Sequence, residues 1–196
     1  MTTWNEKLLG DVLTVIRGVS YKKDVAKSEP VDGYVPILRA TNIQDRLTFT
    51  DLVYVPRSNV SEEQKLRKGD IVIAASSGSR NVVGKAAQLN EDWTGSFGAF
   101  CFGLRPANDI NQRFVGWFLQ TREYRNRVSA LAAGVNINNL RTRHIEETPI
   151  RVPPLDEQQR IVAEIEKQFT RLDAGVASLK RVQIALKRYC ASVLKA

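Results

Sequence analysis

Two polar stretches of this chain hold side chains of the kind that meet base edges and phosphates. Residues 76–81 run Ser76, Ser77, Gly78, Ser79, Arg80, Asn81, and residues 134–145 carry Asn136, Asn138, Asn139, Arg141 and Arg143. Arginine offers two parallel donors that match guanine, asparagine combines a donor and an acceptor as adenine requires, and small hydroxyls suit phosphate oxygens. Lys22 and Lys23, next to Tyr21, and Arg39 add candidate phosphate contacts. Serine, asparagine and glycine are also ordinary turn formers, so each stretch has a second reading as a solvated turn. Arg122, Arg125 and Arg127 read as the wet face of a helix.

The enzymatic alternatives lack their chemistry. "GSRNVVGK" (78–85) has five residues between its glycines where a phosphate-binding loop has four, and Ala86 stands where a magnesium-holding Ser or Thr belongs. Asp51, Glu63 and Lys65 can be ordered as a metal-nuclease triad, but Glu63 and Lys65 fall in a capped polar turn and not in a strand. His144, the single histidine, has no nucleophile near it in sequence. The sequence contains no Asn-Pro dipeptide, so it lacks the Asn-Pro-Pro-aromatic loop of a base-methylating enzyme. No metal site is expected, because Cys101 and Cys190 are far apart and lack a CxxC or a histidine at ligand spacing. Any catalysis is therefore expected from a partner.

Two kinds of element must position these residues. From Trp4 to about Thr148, apolar runs of four to seven alternate with Gly, Pro, Asn and Asp, the rhythm of a strand-rich domain. The expected strands are 11–16, 34–40, 70–75, 81–89 and 98–106, rich in Val, Ile, Tyr and Phe. Ser61 and Gln64 are expected to cap a short turn reciprocally. Residues 111–133 change to helical period and read as one amphipathic helix packed on the sheet, ended by Gly134.

After Pro149, Pro153 and Pro154, which keep "TPIRVPP" extended, Asp156 is expected at an N-cap with Gln159 completing the capping box. A heptad then runs through Val162, Phe169, Val176, Gln183 and Cys190 at one position and Ile165, Leu172, Leu179, Leu186 and Val193 at the other. Five heptads of so narrow a stripe are the seam of a coiled coil and need a partner helix. The fold class expected is α+β (mixed α/β), with a head over 1–152 and a long helix over 153–196.

Length and composition agree with this division. The 196 residues are 43% hydrophobic, enough for one core plus an extension, and the net charge of +8 favours a polyanionic partner. No acidic residue follows Asp173, while Lys180, Arg181, Lys187, Arg188 and Lys195 do. No apolar run approaches the roughly 20 residues of a membrane span, and a cytoplasmic location is expected.

The segment "VPPLDEQQRIVAEIEKQFTRLDAGVASLK" resembles the proline-leucine-x-EQ segment and spacer helix of the DNA-specificity subunits of type I restriction-modification systems. "GYVPILRATNI", "KLRKGDIVIAASSGSRNVVGKAA" and "GVNINNLRTRHIEETPIRVPPL" resemble, in the same order, segments of a target-recognition domain of that family. The resemblance covers nearly the whole chain. It implies a non-catalytic subunit in which each recognition domain reads half of a split site in double-stranded DNA. The helix would set the half-site spacing and offer a docking surface for methyltransferase subunits and, through them, a translocase-nuclease. S-adenosylmethionine and ATP with magnesium would sit on those partners, with no cofactor on this chain. The chain carries one recognition domain and one helix where the family pattern has two of each, so a fragment or a half-length subunit that homodimerises through the helix is expected. The rival reading is a self-standing homodimeric DNA-binding regulator.

Overall fold

The computed structural model describes residues 4–79, 81–132 and 138–193, which form two compact units, 1–158 and 159–196. In the first unit the strands are β1 (Asn5–Leu8), β2 (Leu13–Arg17), β3 (Tyr34–Leu38), β4 (Val53–Pro56), β5 (Ile71–Ala74), β6 (Ser76–Ser77), β7 (Ala86–Gln88), β8 (Ser96–Phe97), β9 (Cys101–Pro106), β10 (Asn138–Asn139) and β11 (Pro149–Val152). The helices are α1 (Gln112–Phe118), α2 (Arg122–Leu131), α3 (Thr142–Glu146) and α4 (Leu155–Val193). The architecture is α+β.

The main sheet is antiparallel in the order β2-β9-β5-β7. Its two inner strands are the most apolar. All four residues of β5 are buried, and in β9 only Arg105 is not fully so. A strand whose every residue is buried on both faces reads as a continuous run, as "IVIA" does, and not as an alternation. A second sheet, β4-β3-β8, pairs β3 with β4 antiparallel and with β8 parallel. The core fills the region between Ile16, Leu38, Ile43, Val72, Leu89 and Phe97, with Val35, Ile37 and Val55 in a smaller cluster under the second sheet. The sheets meet where Val19 bridges Gly98. A Cβ on Gly18 would lie 2.0 Å from the Gly98 carbonyl oxygen, so only glycine allows this approach.

Three sequence expectations are corrected here. Residues 111–133 do not form one helix. Asn111 caps α1 through its side chain, and Thr121 then starts α2, its Oγ1 accepting from the Tyr124 N–H (3.3 Å) and donating to the Phe118 carbonyl (2.7 Å). A threonine that satisfies both ends of a break resets the helix axis despite continuous periodicity. Gly134, the expected terminator, lies outside the described residues. The expected strand 81–89 is reduced to β7, because 81–84 is a turn.

The third correction concerns the long helix, which begins at Leu155, before Asp156. The Pro154 carbonyl accepts from Glu157 and Gln158, and Gln158, not Gln159, makes the tertiary bonds. Its Oε1 accepts from the Asn111 N–H (2.9 Å) and its Nε2 donates to the Pro153 carbonyl (2.8 Å). Of the extended prolines before it, Pro149 opens β11, whose partner β1 has no strand signal in the sequence, while Pro153 and Pro154 follow the strand. Ser61 and Gln64 do bond reciprocally, in a turn and not in a helix.

In the second unit, α4 continues to Val193. Its 39 residues rise about 58 Å. Phe169, Leu172, Val176, Leu179 and Leu186 are exposed, Leu179 at 70%, as are Gln183 and Cys190, while Ile165 is half-buried and Val162 buried. The Val193 side chain lies outside the described residues. Val182 and Tyr189 are exposed too, each one position before a seam residue, so the apolar face widens toward the C-terminal half. Among the described residues no helix is long and apolar enough to cross a membrane.

Candidate nucleic-acid interface

The two polar stretches, some sixty residues apart in sequence, lie side by side. Strands β6 and β10 form an antiparallel ladder that places Ser77 opposite Asn138 and Ser76 opposite Asn139. The buried Leu140 locks the pairing with an N–H bond of 2.8 Å to the Ala75 carbonyl. Arg141 follows directly, exposed at the N-cap of α3, with Arg143 exposed two residues on. Asn139 is also exposed. The Asn138 backbone belongs to β10, but its side chain, like all of Arg80 and Asn136, lies outside the described residues. The ladder and the start of α3 thus bring hydroxyls, an amide and two guanidiniums to neighbouring positions of the head, side chains of the types that meet phosphates and base edges.

The segment after β6 is held from below. Ser79 donates its N–H to the Ser77 Oγ (3.2 Å). Arg125 donates to the Val83 carbonyl and to the carbonyl of Asn81, both at 2.9 Å, and leaves the Asn81 side chain exposed. The reading of Arg125 as part of a wet helix face is therefore corrected. The residue is half-buried and positions the loop, a role that only tertiary structure reveals. Gly84, at φ +75°, closes the same turn against α2, where a Cβ would lie 2.4 Å from Val128 Cγ2. Arg127 bonds the Glu147 carbonyl, and Arg122 stays exposed.

Of the weaker candidates, Arg39 lies beside this ladder. A cavity of about 390 Å³ is lined by Ser76 together with Tyr21, Arg39, Thr41 and Phe100. Arg39 donates to the Asp51 carbonyl, which fixes its guanidinium, and Lys22 and Lys23 are exposed on the segment beyond Tyr21. Burial pushes the Tyr21 phenol above its ordinary value, with the Arg39 guanidinium opposing. Burial also pushes the Cys101 thiol up to about 12, so it is no nucleophile at neutral pH. Among the described residues, no three His, Cys, Asp or Glu side chains group to hold a metal ion.

His144 has a structural role. Its Nδ1 accepts from the Arg141 N–H (3.3 Å) at the start of α3. Desolvation, then Arg143 and Arg141, hold the imidazole below its ordinary value, with Glu147 opposing. A proton on Nδ1 would remove the acceptor. Because the unfolded imidazole titrates first, near pH ~6.5, His144 supports the fold above that pH and loses its contribution as pH falls through the lower folded value. The urea midpoint of the wild type is expected to fall further between pH 7.5 and 5.5 than that of His144→Asn, whose amide oxygen can accept the same bond at both.

Comparison with known proteins gives one direction. The family model described as type I restriction modification DNA specificity domain matches residues 1–185. The type I restriction enzyme StySPI specificity subunit of Salmonella potsdam is 42% identical over 194 residues, which cover 98% of this chain and 42% of the relative. The EcoKI specificity subunit of Escherichia coli strain K12 is 42% identical over 192 residues, 97% of this chain and 41% of the relative. A solved chain from work on complex assembly and conformational transition of the type I R-M system superposes with a TM-score of 0.72 at 22% identity. It covers 94% of this chain and 43% of that one. The chain thus spans about two fifths of the length of the curated relatives it matches.

Proposed function

This chain belongs to the type I restriction modification DNA specificity family, and on that premise we propose that it is the non-catalytic DNA-reading part of a type I restriction-modification complex. The observation that carries this reading is the β6–β10 ladder, which gathers Ser76, Ser77, Asn139 and Arg141 on one edge of the first unit. That edge presents base-reading amide and guanidinium groups beside phosphate-binding hydroxyls. The first unit reads one half of a bipartite site. Lys22, Lys23 and Arg39 contact phosphate.

The α4 helix sets the distance between half-sites and pairs with a second helix through Phe169, Leu172, Leu179 and Leu186, which leave water on pairing. Methyltransferase subunits dock on the paired helices. S-adenosylmethionine belongs to those subunits, and ATP with magnesium to the translocase-nuclease. This chain supplies no catalytic group.

Co-expression with a type I methyltransferase subunit tests the proposal. A stable complex that binds a selected duplex more tightly than a scrambled one is expected. A homodimer that binds DNA specifically but never retains methyltransferase supports a free-standing regulator instead.

A further inference from the structure

Phe100 stands out beside the reading edge. It is 69% exposed, the largest exposure among the aromatic rings of the first unit that are more than two-fifths exposed. Its backbone is nonetheless fixed. The Phe100 carbonyl accepts from the N–H of Ala75 (2.8 Å), which precedes β6, and of Ser76 (3.1 Å), which opens it, and the Cys101 N–H closes the turn onto the Gly98 carbonyl (2.8 Å). The ring therefore projects from a backbone position tied to the reading strand itself.

The cavity beside it has a mixed character. Val19, Tyr21 and Phe100 supply apolar wall, and Ser76 and Arg39 supply a donor and a cation. Among the described residues that line it there is no carboxylate, and Lys22 and Lys23 extend the positive charge beyond Tyr21. An apolar wall beside one guanidinium is complementary to one feature of duplex DNA. In the major groove the only apolar group on a base edge is the thymine 5-methyl, and aromatic contact with it is a known mode of readout. The flanking phosphate would meet Arg39, whose guanidinium the Asp51 carbonyl orients.

Resting on the DNA-reading function above, we propose that Phe100 is a specificity-determining residue that reads a thymine methyl in the half-site, with Arg39 on the adjoining phosphate. The ring adds apolar discrimination to the polar readout by Asn139 and Arg141.

The test uses the complex of this chain with its methyltransferase and a duplex selected by that complex from a random library. Each thymine of the half-site is replaced in turn by deoxyuridine, which removes only the methyl. For the wild type, one such position is expected to weaken binding about fourfold, the worth of one buried methyl-sized group. Phe100→Ala is expected to bind thymine and deoxyuridine duplexes equally, and Phe100→Leu to keep part of the difference. Thermal melts of both variants check the fold, which the exposure of the ring leaves intact. A Phe100→Ala complex with full deoxyuridine sensitivity, a half-site in which no thymine methyl matters, or a half-site without thymine overturns the proposal. The underlying function is judged separately, by matched against scrambled duplex. Discrimination there without methyl sensitivity removes only the role of Phe100.

Discussion

Replacing Arg105 by Leu is expected to lower the unfolding free energy of the first unit by about 3–5 kcal/mol, as removal of one partner from a buried ion pair does. Arg105 meets Asp70 through two parallel bonds, Nε to Oδ1 at 3.0 Å and Nη2 to Oδ2 at 2.7 Å, and the Asp70 side chain is only 4% exposed. The guanidinium also donates to the carbonyls of Glu63 and Lys65, and Asp70 accepts from the Arg67 N–H. Its loss would leave a carboxylate and two carbonyls underserved in a site with little water. Asp70 directly precedes β5, which leads through Ala75 into β6, so this clip also fixes the strand that carries the reading edge. Urea unfolding followed by far-ultraviolet dichroism measures the loss. A midpoint within experimental scatter of the wild type would mean that the pair contributes little.

The second large effect concerns recognition. Arg141→Ala is expected to weaken binding to the matched duplex by about 5- to 150-fold, the range for one good bidentate base contact, and to narrow the gap between matched and scrambled DNA. Lys187→Ala, on the exposed surface of α4, is expected to change both by less than about threefold. Fluorescence anisotropy at one fixed salt concentration separates the cases. Equal losses for both variants on both duplexes would reduce the interface to general electrostatics.

The parts of the fold that were legible in sequence are those fixed by local chemistry. Strands β3, β5 and β9 announce themselves by dense Val, Ile and Phe between turn residues, and the apolar seam of α4 by its period. What escaped is non-local. "NEKL" has no apolar alternation, and β1 is a strand because residues 149–152 lie beside it. The break between α1 and α2 rests on one threonine inside an unbroken period. Arg125 looks like any exposed helical arginine until the Val83 and Asn81 carbonyls are seen to meet it.

The candidate site follows the same division. Residue types alone picked out both polar stretches, because Arg, Asn and Ser declare their hydrogen-bonding chemistry wherever they lie. Their meeting in one ladder is a long-range pairing that no local pattern encodes. Phe100 was read only as part of a strand, since an exposed aromatic ring cannot be told from a buried one by its neighbours in sequence.

Selecting duplexes from a random library with the chain and its methyltransferase subunit together measures directly whether one domain reads one half of a split site while the helix fixes the spacing. The proposed pairing of two copies through α4 would present the same edge twice. The expected result is two identical half-sites separated by an unread spacer of constant length, with the half-site preference weakened in Arg141→Ala and the spacer unchanged. A single uninterrupted site, or half-sites whose spacing varies freely among the selected duplexes, would contradict it.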